Sequence, residues 1–225
     1  NWTNWGMYRF MMLTKNIISG APAPASHLAM VFREKYLPQN KPMPMALVIG
    51  ADPLSSLAGA GGYKIGESEV DFAGALAQQP IELIKCETND LLVPAHAEVV
   101  IEGEILPDRL APEGPFGEYP GYRTSGYKAN LLLQVTAVTF RNSPIITMSV
   151  LGVPPDDSHV GGSMGVALGL KRRLQDHGLP VLDVYLPPEG ASHLVIVSVK
   201  SGGNKVARAV TVSYTHLTLP TKRIV

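Results

Sequence analysis

The chain has 225 residues, 45% of them hydrophobic, which is enough for a sizeable core in one large domain or two smaller ones. Its 19 Lys and Arg balance 19 Asp and Glu, so it has no basic field to hold nucleic acid, and no apolar run approaches the roughly 20 residues of a membrane span. The only cysteine is Cys86, which excludes an internal disulfide and favours a reducing, cytoplasmic compartment.

Residues 1–13 are rich in aromatic and apolar side chains, a composition that predicts a strand. Asn4 and Arg9 are five positions apart, so a regular strand would point them to opposite faces. A bulge at Gly6 would turn both toward one site. The alternative is a buried strand with polar ends.

A helix is predicted to begin after Ser26, which can cap it, and His27 then lies in its first turn. A helix N-terminus disfavours a protonated imidazole, so a neutral histidine that ligates a metal or meets a phosphate is one interpretation. A purely structural histidine is the other.

Residues 45–49 form a short apolar run that predicts a buried strand, and a glycine-rich loop is predicted at residues 58–62. This loop can approach a ligand closely, but it lacks the lysine and hydroxyl of a phosphate-binding P-loop. Glu69 then precedes a helix predicted over residues 72–77. An acid at that place usually complements the helix dipole, and a metal ligand is the alternative.

Strands are predicted at residues 81–87 and 97–105, with Glu98, Glu102 and Glu104 on a solvated face. Two further strands, at residues 130–140 and 145–150, have the pattern of a β-hairpin. Strands dominate up to about residue 151, which favours a barrel-like α+β domain.

After Pro154 and Pro155 the predicted elements change from mainly strands to a helix followed by further strands. A helical stripe ends at His177-Gly178, a C-cap signal. Its apolar members are Met164, Ala167, Leu168, Leu170 and Leu174. Strands predicted at residues 181–186 and 194–199 then begin an α/β unit.

The two ends of the sequence suggest a fragment. The chain opens at Asn1 rather than at methionine, and residues 212–221 match what one reading frame of a sequencing-library transposon adaptor would encode. We therefore expect the natural sequence to stop near Val210 and residues 211–225 to be a non-native tail, which leaves His216 out of every functional argument.

The segment from Glu113 to Glu118 carries two carboxylates around glycine, proline and phenylalanine, with no basic residue between them. Such a loop is bent and stiff. If the two acids are partly buried, one is expected to retain a proton near neutrality and to deliver it to a substrate. The alternative is a solvated turn with two surface glutamates.

Several motifs occur together in one order: Asn4-x-x-x-x-Arg9, His27, Glu69, Lys85-Cys86-Glu87-Thr88-Asn89-Asp90 and Glu113-Gly114-Pro115-Phe116-Gly117-Glu118. In this combination, from Asn4 to about Val199, the chain resembles the UbiD family of carboxy-lyases, which use prenylated FMN. The resemblance implies an α+β protein with a split β-barrel flavin-binding domain over residues 1–155. The start of an α/β oligomerisation domain would follow over residues 156–210. It also implies that the family's N-terminal domain and most of its C-terminal one are missing here.

The resemblance implies a metal and cofactor site. Asn4, His27 and Glu69 would bind a divalent manganese or magnesium ion that also holds the cofactor phosphate, and oxygen ligands with one imidazole suit such a cation. A potassium site would use backbone carbonyls of Trp5, Ala58 and Gly61, although some members have serine where this chain has Gly59. The cofactor-binding positions are Gly6, Met7, Tyr8, Arg9, Ser26 and His27.

Arg9, Glu113 and Glu118 resemble the family's catalytic Glu-Arg-Glu network. The resemblance implies that the substrate joins the flavin, carbon dioxide leaves, and Glu118 protonates the remaining carbon. Arg9 and Glu113 would set the protonation and orientation of that donor.

The leading hypothesis is a reversible, non-oxidative decarboxylase of aromatic or α,β-unsaturated carboxylic acids. Residues 186–190 favour the hydroxybenzoate-type branch. A flavin prenyltransferase would supply the cofactor, and the full-length protein would be a homo-oligomer. Two alternatives remain: a flavin-binding subunit without chemistry, and a hydrolase that uses the two glutamates as paired acids.

Overall fold

The structure is a computed structural model that describes residues 2–117, 121–123, 126–148, 152–191, 193–200 and 203–217. The chain divides into two compact units. The described residues of 1–116 and 123–148 form the first, and those of 117–122 and 149–225 form the second.

The first unit is built on an open antiparallel sheet of five strands in the order β1-β2-β7-β6-β3. The strands of this unit are β1 (Phe10–Met12), β2 (Ile17–Gly20), β3 (Met43–Ile49), β4 (Leu83–Lys85), β5 (Leu92–Pro94), β6 (Val99–Glu113) and β7 (Lys128–Phe140). Strands β4 and β5 form a separate small hairpin. Because β1 and β3 are the sheet's edges, the described strands do not close into a barrel, and the split barrel stays a prediction.

Strands β6 and β7 dominate the sheet because their long alternating apolar sequences pair over almost their full length. The register shifts after Glu102, where Gly103 lies so close to the carbonyl oxygen of Gln134 that any side chain would overlap it. One face of the sheet packs on the helical residues that follow β2, which include Leu28 and Phe32. The core of this interface consists of Ile18, Leu28, Phe32, Met43, Met45, Ile105 and Leu133.

Three helices of the first unit connect the strands. They are α1 (His27–Val31), which continues as a π-helical turn and a 3₁₀ turn to Gln39, α2 (Pro53–Gly59) and α3 (Glu69–Ala77). The predicted cap is confirmed, since the Ser26 side chain accepts from the backbone N–H of Ala29. Asp52 caps α2 in the same way. The predicted loop at residues 58–62 is wrong in part, because Ala58 and Gly59 are the last residues of α2.

Glu102 is not solvated as predicted but is 1% exposed. Its carboxylate accepts from the backbone N–H groups of Glu87 at 2.8 Å and Thr88 at 2.7 Å, and from the Thr88 hydroxyl at 2.7 Å. Burial raises the pKa of Glu102, but these hydrogen bonds outweigh burial and hold its pKa below the ordinary value. Burial and the charge of Glu102 raise the pKa of Cys86 to about 11, so this thiol is not a nucleophile at neutral pH.

We expect Glu102→Gln to destabilise the first unit by about 2–4 kcal/mol near neutral pH, since an amide cannot accept all three hydrogen bonds. The folded pKa is depressed, so the carboxylate's contribution is complete above the unfolded pKa of about 4.3 and is lost as the pH falls below it. Urea unfolding followed by tryptophan fluorescence measures this unit, because both tryptophans, Trp2 and Trp5, belong to it. The exposed Glu104→Gln is the control. A difference between wild type and Glu102→Gln that does not shrink in acid would contradict the assignment.

The second unit contains α4 (Asp157–Asp176), β8 (Val181–Tyr185), β9 (Ile196–Val199) and α5 (Gly203–Leu217). Asp156 and His159 form a capping box at the start of α4, and the predicted end at Gly178 is confirmed by its φ of +74°. Strands β8 and β9 pair antiparallel. Helix α5 continues past Val210, and the adaptor origin of the residues beyond stays a prediction.

The prediction of an apolar stripe on α4 is confirmed for its buried residues and wrong for two residues that are exposed. Leu170 and Leu174 are buried against Val181, Val184 and Val210, with Ala167 beside them. Met164 and Leu168 are exposed instead. They face a direction rotated by roughly 100° about the helix axis from the buried side of α4, which carries Leu170 and Leu174.

Two strand predictions are wrong. Residues 2–9 have no regular secondary structure, and β1 begins only at Phe10. The hairpin between residues 130–140 and 145–150 is also absent among the described residues, since Ile145 to Met148 are irregular and β7 pairs with β6 and β2 instead. None of the helices in the described part of the chain combines the length and apolar character that crossing a membrane requires.

Candidate functional site

The segment of residues 2–9 is held by contacts to distant residues. The indole N–H of Trp2 donates to the Glu67 carbonyl at 2.8 Å, and the Met7 N–H donates to the Gly59 carbonyl at 3.2 Å. The ring of Tyr8 folds over Gly6, where an added Cβ would lie 2.5 Å from the ring. This close approach favours glycine at position 6, since a side chain there would have to displace the Tyr8 ring.

Arg9 and Glu113 form a two-point ion pair. Arg9 Nε donates to Glu113 Oε1 and Arg9 Nη2 donates to Glu113 Oε2, both at 3.2 Å. The Glu113 side chain is 3% exposed and that of Arg9 is 41% exposed. The guanidinium also lies over the ring of Phe116, 4.3 Å from the ring centroid, at a distance typical of a cation–π contact. The sequence therefore brings a buried carboxylate to a partly exposed arginine across 104 positions.

Asn130 completes the surroundings of Glu113. Its side-chain Nδ2 donates to Glu113 Oε2 at 2.9 Å. Glu113 pairs with Lys128 in the register of β6 and β7, which places Asn130 two residues further along the same sheet face. The third predicted catalytic residue, Glu118, lies outside the described residues, so its predicted role stays a prediction.

Asn4, His27 and Glu69 come together from three separate parts of the chain. His27 Nδ1 is 3.2 Å from Asn4 Oδ1 and 4.0 Å from Glu69 Oε1. The Tyr8 hydroxyl accepts from Asn4 Nδ2 and from the backbone N–H of Leu28, both at 3.3 Å. These contacts hold the Asn4 amide and the His27 imidazole beside the Glu69 carboxylate.

The surroundings of Glu69 fit a cation. Its side chain is 3% exposed, and it accepts one described hydrogen bond, from the Trp5 N–H at 3.2 Å. Burial, followed by the charges of Glu69 and Glu67, raises the pKa of the neighbouring Tyr63. A buried carboxylate with one hydrogen bond is costly unless a positive charge compensates it. Within the described part of the chain no three His, Cys, Asp or Glu residues cluster at metal-binding distance, so a metal here would depend on the Asn4 oxygen.

The carbonyls predicted for potassium lie on or near the end of α2. The Ala58 carbonyl accepts from the Gly61 N–H at 2.9 Å, and the Gly59 carbonyl accepts from the Met7 N–H at 3.2 Å. The loop containing Trp5 therefore lies against this helix end. A potassium ion at these carbonyls stays a prediction.

The predicted cofactor-binding residues differ in exposure. Met7 is 67% exposed, whereas Tyr8 and His27 are partly buried in the hydrogen-bond network described above. A cavity of about 560 Å³ borders the same segment, lined by Asn4 to Tyr8, Leu28, Val31 and the strand β3. Arg9, Glu113, His27 and Glu69 do not line it, so we do not assign the chemistry to this cavity.

Sequence reasoning missed three contributors to these clusters. Asn130 is the third residue of β7 and carries no motif, and its contact to Glu113 follows only from the register. Phe116 lies within the Glu113–Glu118 motif but was given no role. The packing of Trp2 on His27, with ring centroids 5.6 Å apart, has no signal in the sequence.

The family model that matches residues 1–154 is described as the 3-octaprenyl-4-hydroxybenzoate carboxy-lyase Rift-related domain of UbiD. The chain belongs to the UbiD family. The resemblance that the motifs carry is thereby confirmed, and the UbiD match covers the residues of both clusters from Asn4 to Asn130.

Two curated relatives are decarboxylases. The chain is 36% identical to pyrrole-2-carboxylic acid decarboxylase of Pseudomonas aeruginosa over 199 residues, which is 88% of this chain and 40% of the relative. It is 32% identical to ferulic acid decarboxylase 1 of Saccharomyces cerevisiae over 205 residues, 90% of this chain and 41% of the relative. The chain thus spans about two fifths of the length of these UbiD-like relatives.

A solved UbiD-class structure has the same fold. It is an evolved dimeric form of the enzyme HmfF from Pelotomaculum thermopropionicum, in complex with prFMN. The TM-score is 0.86 at 30% sequence identity, and the match covers 96% of this chain and 49% of that one. The combination of helices with an antiparallel sheet is therefore that of a UbiD-class protein.

Proposed function

We propose that the full-length protein is a non-oxidative, prenylated-FMN-dependent decarboxylase of aromatic or α,β-unsaturated carboxylic acids, reversible as a carboxylase. The observation that carries the proposal is the buried Glu113 carboxylate, held by both Arg9 donors and by Asn130. The names of the relatives, which act on pyrrole-2-carboxylic acid and ferulic acid, support the substrate class. Within that class we propose a hydroxybenzoate-type acid.

The first part of the mechanism is cofactor binding. Asn4, His27 and Glu69 would hold a manganese or magnesium ion, because one imidazole and hard oxygen donors suit such a cation and because Glu69 is buried with one described hydrogen bond. Gly6 to Arg9, Ser26 and His27 would contact the flavin. A potassium ion at the carbonyls of Trp5, Ala58 and Gly61 belongs to the same proposal. When bound, prenylated FMN supplies the electron sink for loss of carbon dioxide.

The second part is control of a proton. The Arg9 side chain is 41% exposed while its Nε and Nη2 donate to Glu113, so we propose that this guanidinium lies at the substrate site. The guanidinium is fixed along one edge by Glu113 and on one face by the Phe116 ring, which reduces the entropy lost on orienting the substrate. Glu118 is proposed as the group that protonates the product carbon, on the family resemblance alone.

The organisation of the full-length protein is also part of the proposal. We propose that residues 1–155 form a split β-barrel domain and that residues 156–210 begin an oligomerisation domain. A homo-oligomer and a flavin prenyltransferase that supplies the cofactor complete this proposal.

The test is expression of the full-length gene together with a flavin prenyltransferase, followed by a screen of pyrrole-2-carboxylic, ferulic and 4-hydroxybenzoic acids. We expect carbon dioxide release from at least one acid, dependent on the flavin. Cells without the prenyltransferase provide the matched control, since they yield protein with unmodified FMN. A flavin spectrum without carbon dioxide release from a wider panel of acids would indicate a binding subunit. Carbon dioxide release that survives flavin removal would contradict the flavin-dependent mechanism.

A further inference from the structure

Asn130 has a contact that the family motifs do not include. Its Nδ2 is 2.9 Å from Glu113 Oε2, shorter than either bond from Arg9 to the same carboxylate. We propose that Asn130 is a positioning residue for the reaction, which acts through Glu113 to hold the Arg9 guanidinium in place. This inference rests on the proposed function.

The first step of the argument is the hydrogen-bond count at Glu113. Oε1 accepts from Arg9 Nε, and Oε2 accepts from both Arg9 Nη2 and Asn130 Nδ2. With 3% of its side chain exposed, Glu113 has little access to water that could replace a lost donor. Removing the Asn130 amide therefore leaves a buried carboxylate oxygen with one donor instead of two.

The second step concerns the orientation of the Arg9–Glu113 pair relative to the sheet. Two parallel bonds from Arg9 fix the carboxylate and guanidinium relative to each other, but they do not fix the pair relative to the sheet. Asn130 does so, because β7 carries it in register with β6, where Ala111 is its partner and Glu113 lies two residues away on the same face. The Phe116 ring then fixes the guanidinium from another direction. Together these contacts determine the orientation of the Arg9 guanidinium.

The third step concerns charge. An amide donates a directed hydrogen bond without adding a charge. A lysine or arginine at this position would change the net charge of the Arg9–Glu113 pair and compete with Arg9 for the carboxylate. Asn130 stabilises the orientation while it leaves the pair's charge balance unchanged.

The test uses the full-length protein loaded with prenylated FMN and the isosteric variant Asn130→Leu. We expect a fall in kcat of about ten- to hundredfold with KM changed by less than about threefold, because an orientation needed in the transition state is lost. The matched control is Gln134→Leu, because Gln134 lies four positions along the same strand and face. Its side-chain amide donates to the Asn16 carbonyl at 2.9 Å and not to the Arg9–Glu113 pair. This control is expected to keep wild-type kcat.

A double-mutant cycle separates a positioning role from a structural one. If Asn130 acts through Glu113, Asn130→Leu has no further effect on kcat in a Glu113→Gln background. The same fold loss in both backgrounds would overturn the proposal, and so would a kcat within about twofold of wild type for Asn130→Leu.

Crystal structures of the wild type and of Asn130→Leu test the positioning role of Asn130 independently of turnover. In Asn130→Leu we expect the Arg9 Nη2 to Glu113 Oε2 distance to exceed about 3.5 Å, and an unchanged ion pair would contradict the proposal. If the wild-type protein loaded with flavin releases no carbon dioxide from any acid, the proposed function fails, while this structural comparison still decides the role of Asn130.

Discussion

Glu118→Gln is expected to lower the rate of carbon dioxide release by about 10²–10⁴-fold in the full-length protein, because an amide cannot give up the proton that the product carbon needs. The flavin is expected to remain bound, since Glu118 is not among the proposed cofactor contacts. Two measurements check this: single-turnover carbon dioxide release, and the absorption spectrum of the purified variant.

Glu104→Gln is the control for this variant, as Glu104 is an exposed glutamate on β6. It should turn over at the wild-type rate. Near-normal turnover by Glu118→Gln would remove Glu118 from the mechanism. Loss of the flavin from that variant would indicate a binding role instead of a proton donor.

Glu69→Ala is expected to weaken divalent metal binding by at least about a hundredfold. Loss of groups that only orient metal ligands already costs about 10–100-fold, and Glu69 is proposed as a ligand itself. The purified full-length variant should therefore contain substoichiometric manganese and little flavin. Metal analysis and flavin absorbance of the same sample measure both.

Asp71→Asn is the matched control for Glu69→Ala. Both acids lie in the first turn of α3, so both contribute to the helix dipole, but Asp71 is exposed whereas Glu69 is buried. Normal metal and flavin content in Asp71→Asn, with loss of both in Glu69→Ala, would separate a metal ligand from an acid that only complements the helix dipole. Equal behaviour of the two variants would sink the metal assignment.

Local signals predicted the elements whose residues follow a simple period or cap. The Ser26 cap, the strand β3 and the C-terminus of α4 at Gly178 all agree with the structure. These features depend on neighbours within a few residues, which the sequence displays directly.

Features decided by distant neighbours were predicted poorly. Residues 2–9 have the composition of a strand, yet Tyr8 packs over Gly6 and the polar groups bond to α2 and α3 instead of to a neighbouring strand. Glu102 alternates with apolar residues as a solvated side chain would, but a loop covers it and donates three hydrogen bonds. Periodicity states which face a residue occupies and not what lies over that face.

The candidate site shows the same division. The motifs placed Arg9 with Glu113 and Asn4 with His27 and Glu69, and the structure brings each set together. Asn130 could not be found in this way, because its contact requires the register of β6 against β7 and a diagonal neighbour. A single asparagine at the start of a strand has no signature of its own.

The irregular segment of residues 2–9 makes assembly of both clusters one cooperative event. Hydrogen bonds join it to distant residues at six places: Trp2 to Glu67, Asn4 to His27, Trp5 to Glu69, Met7 to Gly59, Tyr8 to Leu28 and Arg9 to Glu113. A local opening that frees this segment would remove the amide of one cluster and the guanidinium of the other at the same moment. Opening and closing of one short stretch of backbone would therefore break or form the Asn4–His27–Glu69 cluster and the Arg9–Glu113 cluster together.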